Sequence, residues 1–290
     1  MHRVEPKVFM IGESAIHGCV IADYLDYIGC TRRSTTSSSE AEDLIEFMGR
    51  LCYRSFEPGL NPNVTKIRED QAAYINNILA SGHGSVLEHA VSHWVFTDVS
   101  RVFTHELVRH RVGTAFSQES LRYVRLVDLG LWLPPEVEAK PEVAALFEQT
   151  FKSLEDLQIK LTEAYGLDRP QTCPQCLGVE STTRDRADRK SVCGKCGGTG
   201  QITTPFDTKK RVTSAMRRVA PIGLATCIGV TFNMRALRHV IEMRTAEGAE
   251  AEIRYVFDIV AKTAKENWPL IFRDFTRNEK GAWIPKYRKV

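Results

Sequence analysis

The sequence contains no apolar run that approaches the roughly 18 residues needed to cross a membrane. Its first residues, MHRVEPKVFMIGESAIHGC, hold only a short apolar stretch, whereas a secretory signal needs a longer one. No G-x-G-x-x-G follows a predicted strand, so a Rossmann dinucleotide domain is not indicated. No internal repeat is present either. These absences predict a cytoplasmic protein without a membrane partner.

The chain also lacks a large excess of either charge. Its 39 Lys and Arg residues oppose 36 Asp and Glu residues, which gives a formal net charge of +3. This balance does not point to a nucleic-acid-binding protein, although a local basic patch remains compatible with it. With 43% hydrophobic residues over 290 positions, the chain is long and apolar enough to bury a sizeable core.

Helical and strand patterns share most of the chain, which predicts an α+β fold. Three- and four-residue apolar spacing predicts helices over 44–52, 70–82, 101–111, 141–165, 208–218, 233–244 and 249–266. β-Branched and aromatic runs predict strands over 7–11, 91–99 and 222–232. The polar, Ser-rich segment 32–42 is predicted to be a loop.

Two pairs of cysteines stand close together in a glycine-rich stretch that has almost no large apolar residues. Cys173 pairs with Cys176 and Cys193 with Cys196, each as C-x2-C, and sixteen residues separate the pairs. This spacing is typical of a structural zinc ribbon, in which four thiolates complete a tetrahedral shell. A redox dithiol is the weaker alternative, because it usually consists of one C-x-x-C beside a strand and a helix.

The change in composition predicts a catalytic domain interrupted once. We expect its two parts at 1–166 and 207–290, with an inserted zinc ribbon at 167–206. The other four cysteines are scattered in apolar or mixed surroundings, which predicts buried, reduced thiols. These are Cys19, Cys30, Cys52 and Cys227.

Three polar segments carry side chains suited to ligand binding. The segment RHRVGTAFSQESLRYVR, 109–125, places arginines around hydroxyl and amide groups. Such a cluster suits a ligand with phosphates and a polar ring, because Arg offers bidentate donors to phosphate oxygens. Segments 83–93 and 233–254 add histidines, carboxylates and further arginines. Taken singly, each segment also fits a charged surface or, for its histidines, a structural role.

In order along the chain, the three segments resemble the flavin-dependent thymidylate synthases. The R-H-R…S-x-R-Y signature of that family appears as Arg109-His110-Arg111 and Ser120-Leu121-Arg122-Tyr123. Its upstream H-x-(S/T)-x-x-E-H motif is matched by His83, Ser85, Glu88 and His89. Its downstream motifs are matched by Arg217, Pro221, Asn233, Arg235 and Arg244. The resemblance covers about 44–134 and 207–266, outside the cysteine-rich insert.

The sequence departs from the family pattern at several positions. Eight residues rather than seven separate Arg111 from Ser120. Glu106 stands where an amide is usual, Gly248 stands where many members have His, and His239 often corresponds to Asn. The cysteine-rich insert is not a general family feature.

The resemblance implies an α+β fold around a central sheet and a homotetramer with active sites shared between subunits. It further implies reductive methylation of dUMP to dTMP, with FAD as the cofactor and NADPH as the reductant. Methylenetetrahydrofolate would be the carbon donor, so dUMP and a folate are the expected substrates.

The resemblance also implies the site residues. Those expected to line the FAD site are Ser85, Arg109, His110, Arg111, Gln118, Asn233, Arg235 and His239. Those expected to hold dUMP are Glu106, Leu107, Val108, Arg109, Gln118, Glu119, Ser120, Leu121, Arg122, Arg217 and Arg244. Because FAD and dUMP are anions, a pocket rich in Arg offsets their charge. Arg244 is the expected catalytic residue, facing the uracil and stabilising negative charge there.

Two other functions remain open at this point. One is a nucleic-acid-binding protein that uses the zinc ribbon and the basic segments, which the small net charge disfavours. The other is a nucleotide-binding relative without turnover, prompted by the extra residue before Ser120. Bound flavin separates the first from an enzyme, and an activity assay separates the second.

Overall fold

The computed structural model describes residues 1–31, 39–178, 183–184 and 190–290. These residues form two compact units, each described below by itself. One unit comprises 1–3 and 119–224, and the other comprises 4–118 and 225–290. The cysteine pairs belong to the first unit, and the predicted domain limits at 166 and 206 stay a prediction.

Helices occur in both units. The α-helices are α1 (Gly18–Tyr27), α2 (Glu40–Tyr53), α3 (Gln71–Ala80), α4 (Arg101–Leu107), α5 (Pro135–Glu138), α6 (Pro141–Ala164), α7 (Phe206–Met216), α8 (Met234–Thr245) and α9 (Ala251–Asn267). Short 3-10 turns cover Gly84–Glu88 and Arg217–Val219. Within the described ranges no helix combines the length and apolar character that crossing a bilayer requires.

The strands are mostly short, apart from three longer ones. They are β1 (His2–Arg3), β2 (Lys7–Glu13), β3 (Val91–Ser100), β4 (Thr114–Gln118), β5 (Gly130–Leu131), β6 (Gln171–Thr172), β7 (Thr183–Arg184), β8 (Lys190–Ser191), β9 (Gln201–Ile202), β10 (Ala225–Asn233), β11 (Phe275–Arg277) and β12 (Trp283–Pro285). The mixture of helices and sheets agrees with the predicted α+β class.

A four-stranded antiparallel sheet, in the order β2-β3-β10-β4, is the centre of the second unit. Side chains alternate between its faces. Trp94, Phe96, Ile228 and Phe232 are fully buried on one face. This alternation explains why β-branched and aromatic runs predicted these strands correctly.

Helices α8 and α9 supply the apolar layer that belongs to the same core. The predicted face of α9 is confirmed, since Ile253, Val256, Phe257 and Val260 are fully buried. Helix α8 follows β10 without a linker because Asn233 ends the strand and caps the helix. Its side-chain oxygen accepts a hydrogen bond from the Ala236 N–H at 2.8 Å. The end of β10 and the start of α8 are thereby fixed together.

The first unit has a smaller core built around α6. Leu129, Leu131 and Phe151 are buried in it. The predicted helix over 141–165 is confirmed, but its apolar positions do not all face this core. Leu146 is 62% exposed and Phe147 is 42% exposed.

Three local predictions differ from the structure. The helix expected over 101–111 ends at Leu107, because the next residues form a turn. The Ser-rich loop expected over 32–42 lies outside the described residues at 32–38, and α2 begins at Glu40. The prediction of buried thiols is wrong for Cys19 and Cys52, which are exposed, whereas Cys30 is buried and Cys227 is half-buried.

Candidate active site

The R-H-R segment follows α4, whose start is fixed to the core. The Ser100 hydroxyl caps α4 by accepting from the Phe103 N–H at 3.1 Å. The Glu252 carboxyl accepts from the Ser100 N–H at 2.6 Å and also bonds its hydroxyl. Burial raises the pKa of Glu252 to about 7. Helix α9 therefore anchors the element that carries the candidate site.

A tight turn after α4 brings the R-H-R segment to the end of β10. Gly113 has a φ of +70°, and a Cβ atom there would lie 2.5 Å from the Asn233 side-chain nitrogen. Its carbonyl accepts from the Asn233 N–H at 2.8 Å. Only glycine satisfies both the positive φ and this close approach. This contact explains why the helix stops before His110.

Arg244, near the end of α8, is held in one orientation by three hydrogen bonds. Its Nε donates to His110 Nε2 at 2.7 Å. Its two terminal nitrogens donate to a Glu106 carboxylate oxygen at 2.5 Å and to the Glu106 carbonyl at 2.7 Å. A guanidinium has five N–H groups. Among the described residues, two of them find no acceptor.

His110 is neutral in this arrangement. Burial first and the positive charge of Arg244 second lower its pKa to about 4. Because Nε2 accepts from Arg244, the hydrogen-bond pattern assigns the ring proton to Nδ1. His239 packs edge-on against this ring, with 5.9 Å between the ring centroids. The Arg109 guanidinium lies 3.7 Å from the Glu106 carboxylate and is 71% exposed.

Four other predicted FAD residues of the second unit lie on four separate segments. Arg235 forms an ion pair with Glu88 at 2.6 Å, and both are exposed. Ser85 is exposed on the 3-10 turn Gly84–Glu88, and Arg111 is exposed on the turn after α4. Gln118 donates from Nε2 to the Thr104 hydroxyl at 3.0 Å.

Some predicted dUMP residues have little side chain to offer. Leu107 is fully buried in the core, so any contact there falls to its backbone. Leu121 is also buried, whereas Val108 is half-buried. The structure assigns 119–122 and Arg217 to the first unit, with Arg217 starting the second 3-10 turn.

Two residues that support the site were missed by sequence reasoning. Thr104 holds Gln118, and Glu252 holds the start of α4. Neither Thr104 nor Glu252 belongs to a family motif quoted above, so only their tertiary contacts identify them.

The four paired cysteines form one cluster in the first unit. Their sulfur atoms all lie within 4.8 Å of one another, with 3.8 Å between Cys173 and Cys193 and 3.6 Å between Cys176 and Cys196. The backbone N–H of Cys176 lowers the pKa of the Cys173 thiol. The short strands β6 and β9 pair beside the cluster.

The turns after the two cysteine pairs repeat one backbone conformation. Leu177 and Gly178 have φ values of +53° and +83°, and Gly197 and Gly198 have values of +61° and +87°. Leucine at such a position is unusual, since positive φ favours glycine. The two pairs therefore present their thiols on equivalent turns.

Comparison with known proteins agrees with this geometry. The family model described as "Thymidylate synthase complementing protein" matches residues 35–270. The chain is 32% identical to the flavin-dependent thymidylate synthase of Mycobacteroides abscessus over 241 residues, which is 83% of this chain and 82% of that protein.

Two solved structures share the fold at low sequence identity. The UMP/dUMP methylase PolB from Streptomyces cacaoi, bound with 5-Br UMP, superposes with a TM-score of 0.57 at 14% identity, covering 93% of this chain and 92% of that one. Thymidylate synthase X from Helicobacter pylori, with FAD and dUMP, superposes with a TM-score of 0.53 at 16% identity, covering 93% and 98%. On the family match and the identity over most of both lengths, the chain belongs to the flavin-dependent thymidylate synthases.

Proposed function

We propose that this enzyme converts dUMP to dTMP by reductive methylation, with FAD as its cofactor, NADPH as the reductant and methylenetetrahydrofolate as the carbon donor. The observation that carries the proposal is the fixed Arg244 guanidinium with two N–H groups left for a ligand. A guanidinium group keeps its positive charge in proteins. Arg244 therefore offers a permanent positive charge in a constant orientation.

In this proposal Arg244 is the catalytic residue. Its remaining N–H groups face the uracil ring and stabilise negative charge that develops there. His110 and Glu106 hold the guanidinium in place before the substrate arrives, so no reorganisation is needed during the reaction. Because His110 is neutral, it accepts from Arg244 without adding a second charge.

The donor set of the second unit fits FAD. Arg109, Arg111 and Arg235 supply positive charge for its phosphates, and Ser85, Gln118 and Asn233 supply polar groups for its rings and ribose. His110 and His239 complete the proposed set. Bound FAD supplies the reducing equivalents that complete the methyl group.

The proposed dUMP contacts include further residues besides Arg244. Arg122 and Arg217 bind the phosphate, and Ser120 positions the ring without acting as a nucleophile. Glu119, Leu107, Val108 and Leu121 contribute through the backbone or the pocket wall. No cysteine acts as the nucleophile.

The test of this function uses the FAD-loaded protein. Tritium release from [5-³H]dUMP should require methylenetetrahydrofolate and either NADPH or dithionite. Absence of release with full flavin and with both reductants would reduce the protein to a nucleotide-binding relative without turnover. Protein that binds no flavin but binds nucleic acid would favour the alternative function.

We further propose that the four cysteines bind one structural Zn²⁺. A tetrahedron with Zn–S bonds of about 2.3 Å has sulfur atoms about 3.8 Å apart. The observed 3.8 and 3.6 Å separations fit this geometry. Four thiolates leave no open coordination position, so the metal stabilises the insert and takes no part in the reaction.

The proposal includes a homotetramer with shared active sites. Light scattering should then give about four times the 32.7 kDa mass of the chain. A monomer with full activity would contradict shared sites.

A further inference from the structure

A cavity lies in the second unit, between α2, α3 and the segment that joins them. Its volume is about 300 Å³, the lower end of the range for ligand pockets. Arg50, Tyr53, Lys66, Arg68 and His83 are among the residues that line it. None of them belongs to the FAD or dUMP set proposed above.

Among the described residues, a carboxylate offsets the positive charge of the lining only at Arg50. Arg50 is buried and paired with Glu46 at 2.7 Å. In the described part of the chain, by contrast, Lys66 and Arg68 form no ion pair. No described lining residue carries a carboxylate. Two cations on one wall of a cavity favour a ligand with about two negative charges.

The Arg68 backbone is fixed by the same buried arginine. The Arg50 Nη2 donates to the Arg68 carbonyl at 2.7 Å, and its guanidinium lies over the Tyr74 ring, 4.3 Å from the centroid. This bond ties the joining segment to α2. The Arg68 side chain is therefore carried on a held backbone rather than on a free loop.

A flat aromatic surface borders the cavity. The rings of Tyr53 and His83 are stacked, with centroids 6.0 Å apart and an angle of 19° between their planes. Tyr53 is 48% exposed, so part of its side chain is accessible to a ligand. Open aromatic faces bind nucleobases by stacking, with little dependence on which base is present.

We propose that this cavity binds the adenosine 2′-phosphate end of NADPH. Lys66 and Arg68 bind the 2′-phosphate, and the adenine stacks on Tyr53. A phosphate monoester carries about −1.5 to −2 charges at pH 7, which matches the two cations. An arginine that accommodates the 2′-phosphate is also how other dinucleotide sites select NADP over NAD. The inference rests on the proposed function, because it concerns the reductant of that reaction.

The test measures binding directly on FAD-loaded protein. Calorimetric titrations with NADP⁺ and NAD⁺ are compared for the natural protein, Lys66→Ala, Arg68→Ala and the double variant. Lys160→Ala, at an exposed position of α6, is the matched control. Loss of charge-assisted hydrogen bonds to the phosphate should weaken NADP⁺ binding about 10- to 100-fold in the double variant. Binding of NAD⁺, which lacks the 2′-phosphate, should change less than about twofold.

A second measurement follows flavin reduction by NADPH and by NADH, read as loss of the oxidised flavin absorbance. The variants should lose their preference for NADPH over NADH. Equal weakening of both dinucleotides, or no change in either, overturns the proposal. A rise in KM for methylenetetrahydrofolate with unchanged NADP⁺ binding also overturns it and assigns the cations to the folate carboxylates.

Retained folding is checked with charge-conserving variants. Lys66→Arg and Arg68→Lys should keep most of the preference for NADP⁺, because both retain a cation. Failure of the proposed function is detected separately with the natural protein, because dithionite can reduce the flavin in place of NADPH. Absence of dTMP with dithionite refutes that function, whereas dTMP formation together with unselective dinucleotide binding refutes only the cavity assignment.

Discussion

Removing the Arg244 guanidinium tests the centre of the proposed active site. Loss of one well-placed donor to a developing anion typically costs 10²- to 10³-fold in rate, or about 3 to 4 kcal/mol. After its three bonds to His110 and Glu106, Arg244 has two further N–H groups, which we propose donate to the substrate. We therefore expect Arg244→Ala to lower kcat by at least about 10²-fold while the protein retains FAD.

Arg244→Lys separates charge from orientation. A lysine ammonium retains the positive charge, but it lacks the planar set of donors that bonds His110 and Glu106 together. Its kcat should therefore lie between those of the natural protein and Arg244→Ala. Arg273→Ala, at an exposed position outside the site, is the matched control and should keep normal turnover.

The pKa of His110 gives a readout that is independent of turnover. It lies at about 4, below its ordinary value of 6.5, because of burial first and the Arg244 charge second. Arg244→Ala removes the second cause, so the pKa should rise while burial still keeps it below 6.5. NMR of ¹³C-labelled histidine measures this change. Near-normal turnover together with an unchanged pKa would remove Arg244 from the mechanism.

Three further predictions concern stability and the insert. The pKa of Glu252 in the folded protein is about 7, above its ordinary value of 4.5. The stabilisation that its neutral carboxyl gives the fold is therefore complete below pH 4.5 and is lost as the pH rises through 7, which lowers the free energy of unfolding by up to about 3 kcal/mol. Glu252→Gln should therefore gain Tm relative to the natural protein between pH 5 and 8, and a constant difference would contradict this. Metal analysis should find about one zinc per chain. Cys176→Ser should lose the zinc, whereas the control Cys52→Ser should keep it. Natural protein that contains no zinc after preparation under reducing conditions would contradict the zinc assignment. Replacing 168–206 with a Gly-Ser linker should preserve FAD binding and part of the turnover, and a folded variant without flavin would show that the insert supports the active site.

The sequence predicted elements best where local periodicity and burial agree. Strand β10 and helix α9 are correct because alternating and helical apolar patterns map directly onto buried faces. Helix α6 shows the limit of this reasoning, since its periodic Leu146 and Phe147 are exposed. Apolar periodicity identifies a helix, but it does not show which of the apolar side chains are buried in the folded chain.

The candidate site shows a second limit. The sequence motifs placed Arg244, His110 and Glu106 in one family pattern, but no local pattern encodes the bonds among them. Helix α4 ends early because Gly113 packs against Asn233, which is 120 positions later in the chain. Such contacts depend on the sheet that brings β4 beside β10.

The repeated turn at the two cysteine pairs has a consequence for how the insert can evolve. Leu177 and Gly178 adopt nearly the same φ values as Gly197 and Gly198, so the four-cysteine cluster is built twice from one short unit. The intervening stretch then only has to return the chain to the start of the second copy. Duplication of a six-residue segment, followed by drift in the spacer, is sufficient to build such a module. We therefore expect related inserts to differ in spacer length while each C-x2-C unit keeps its two left-handed residues.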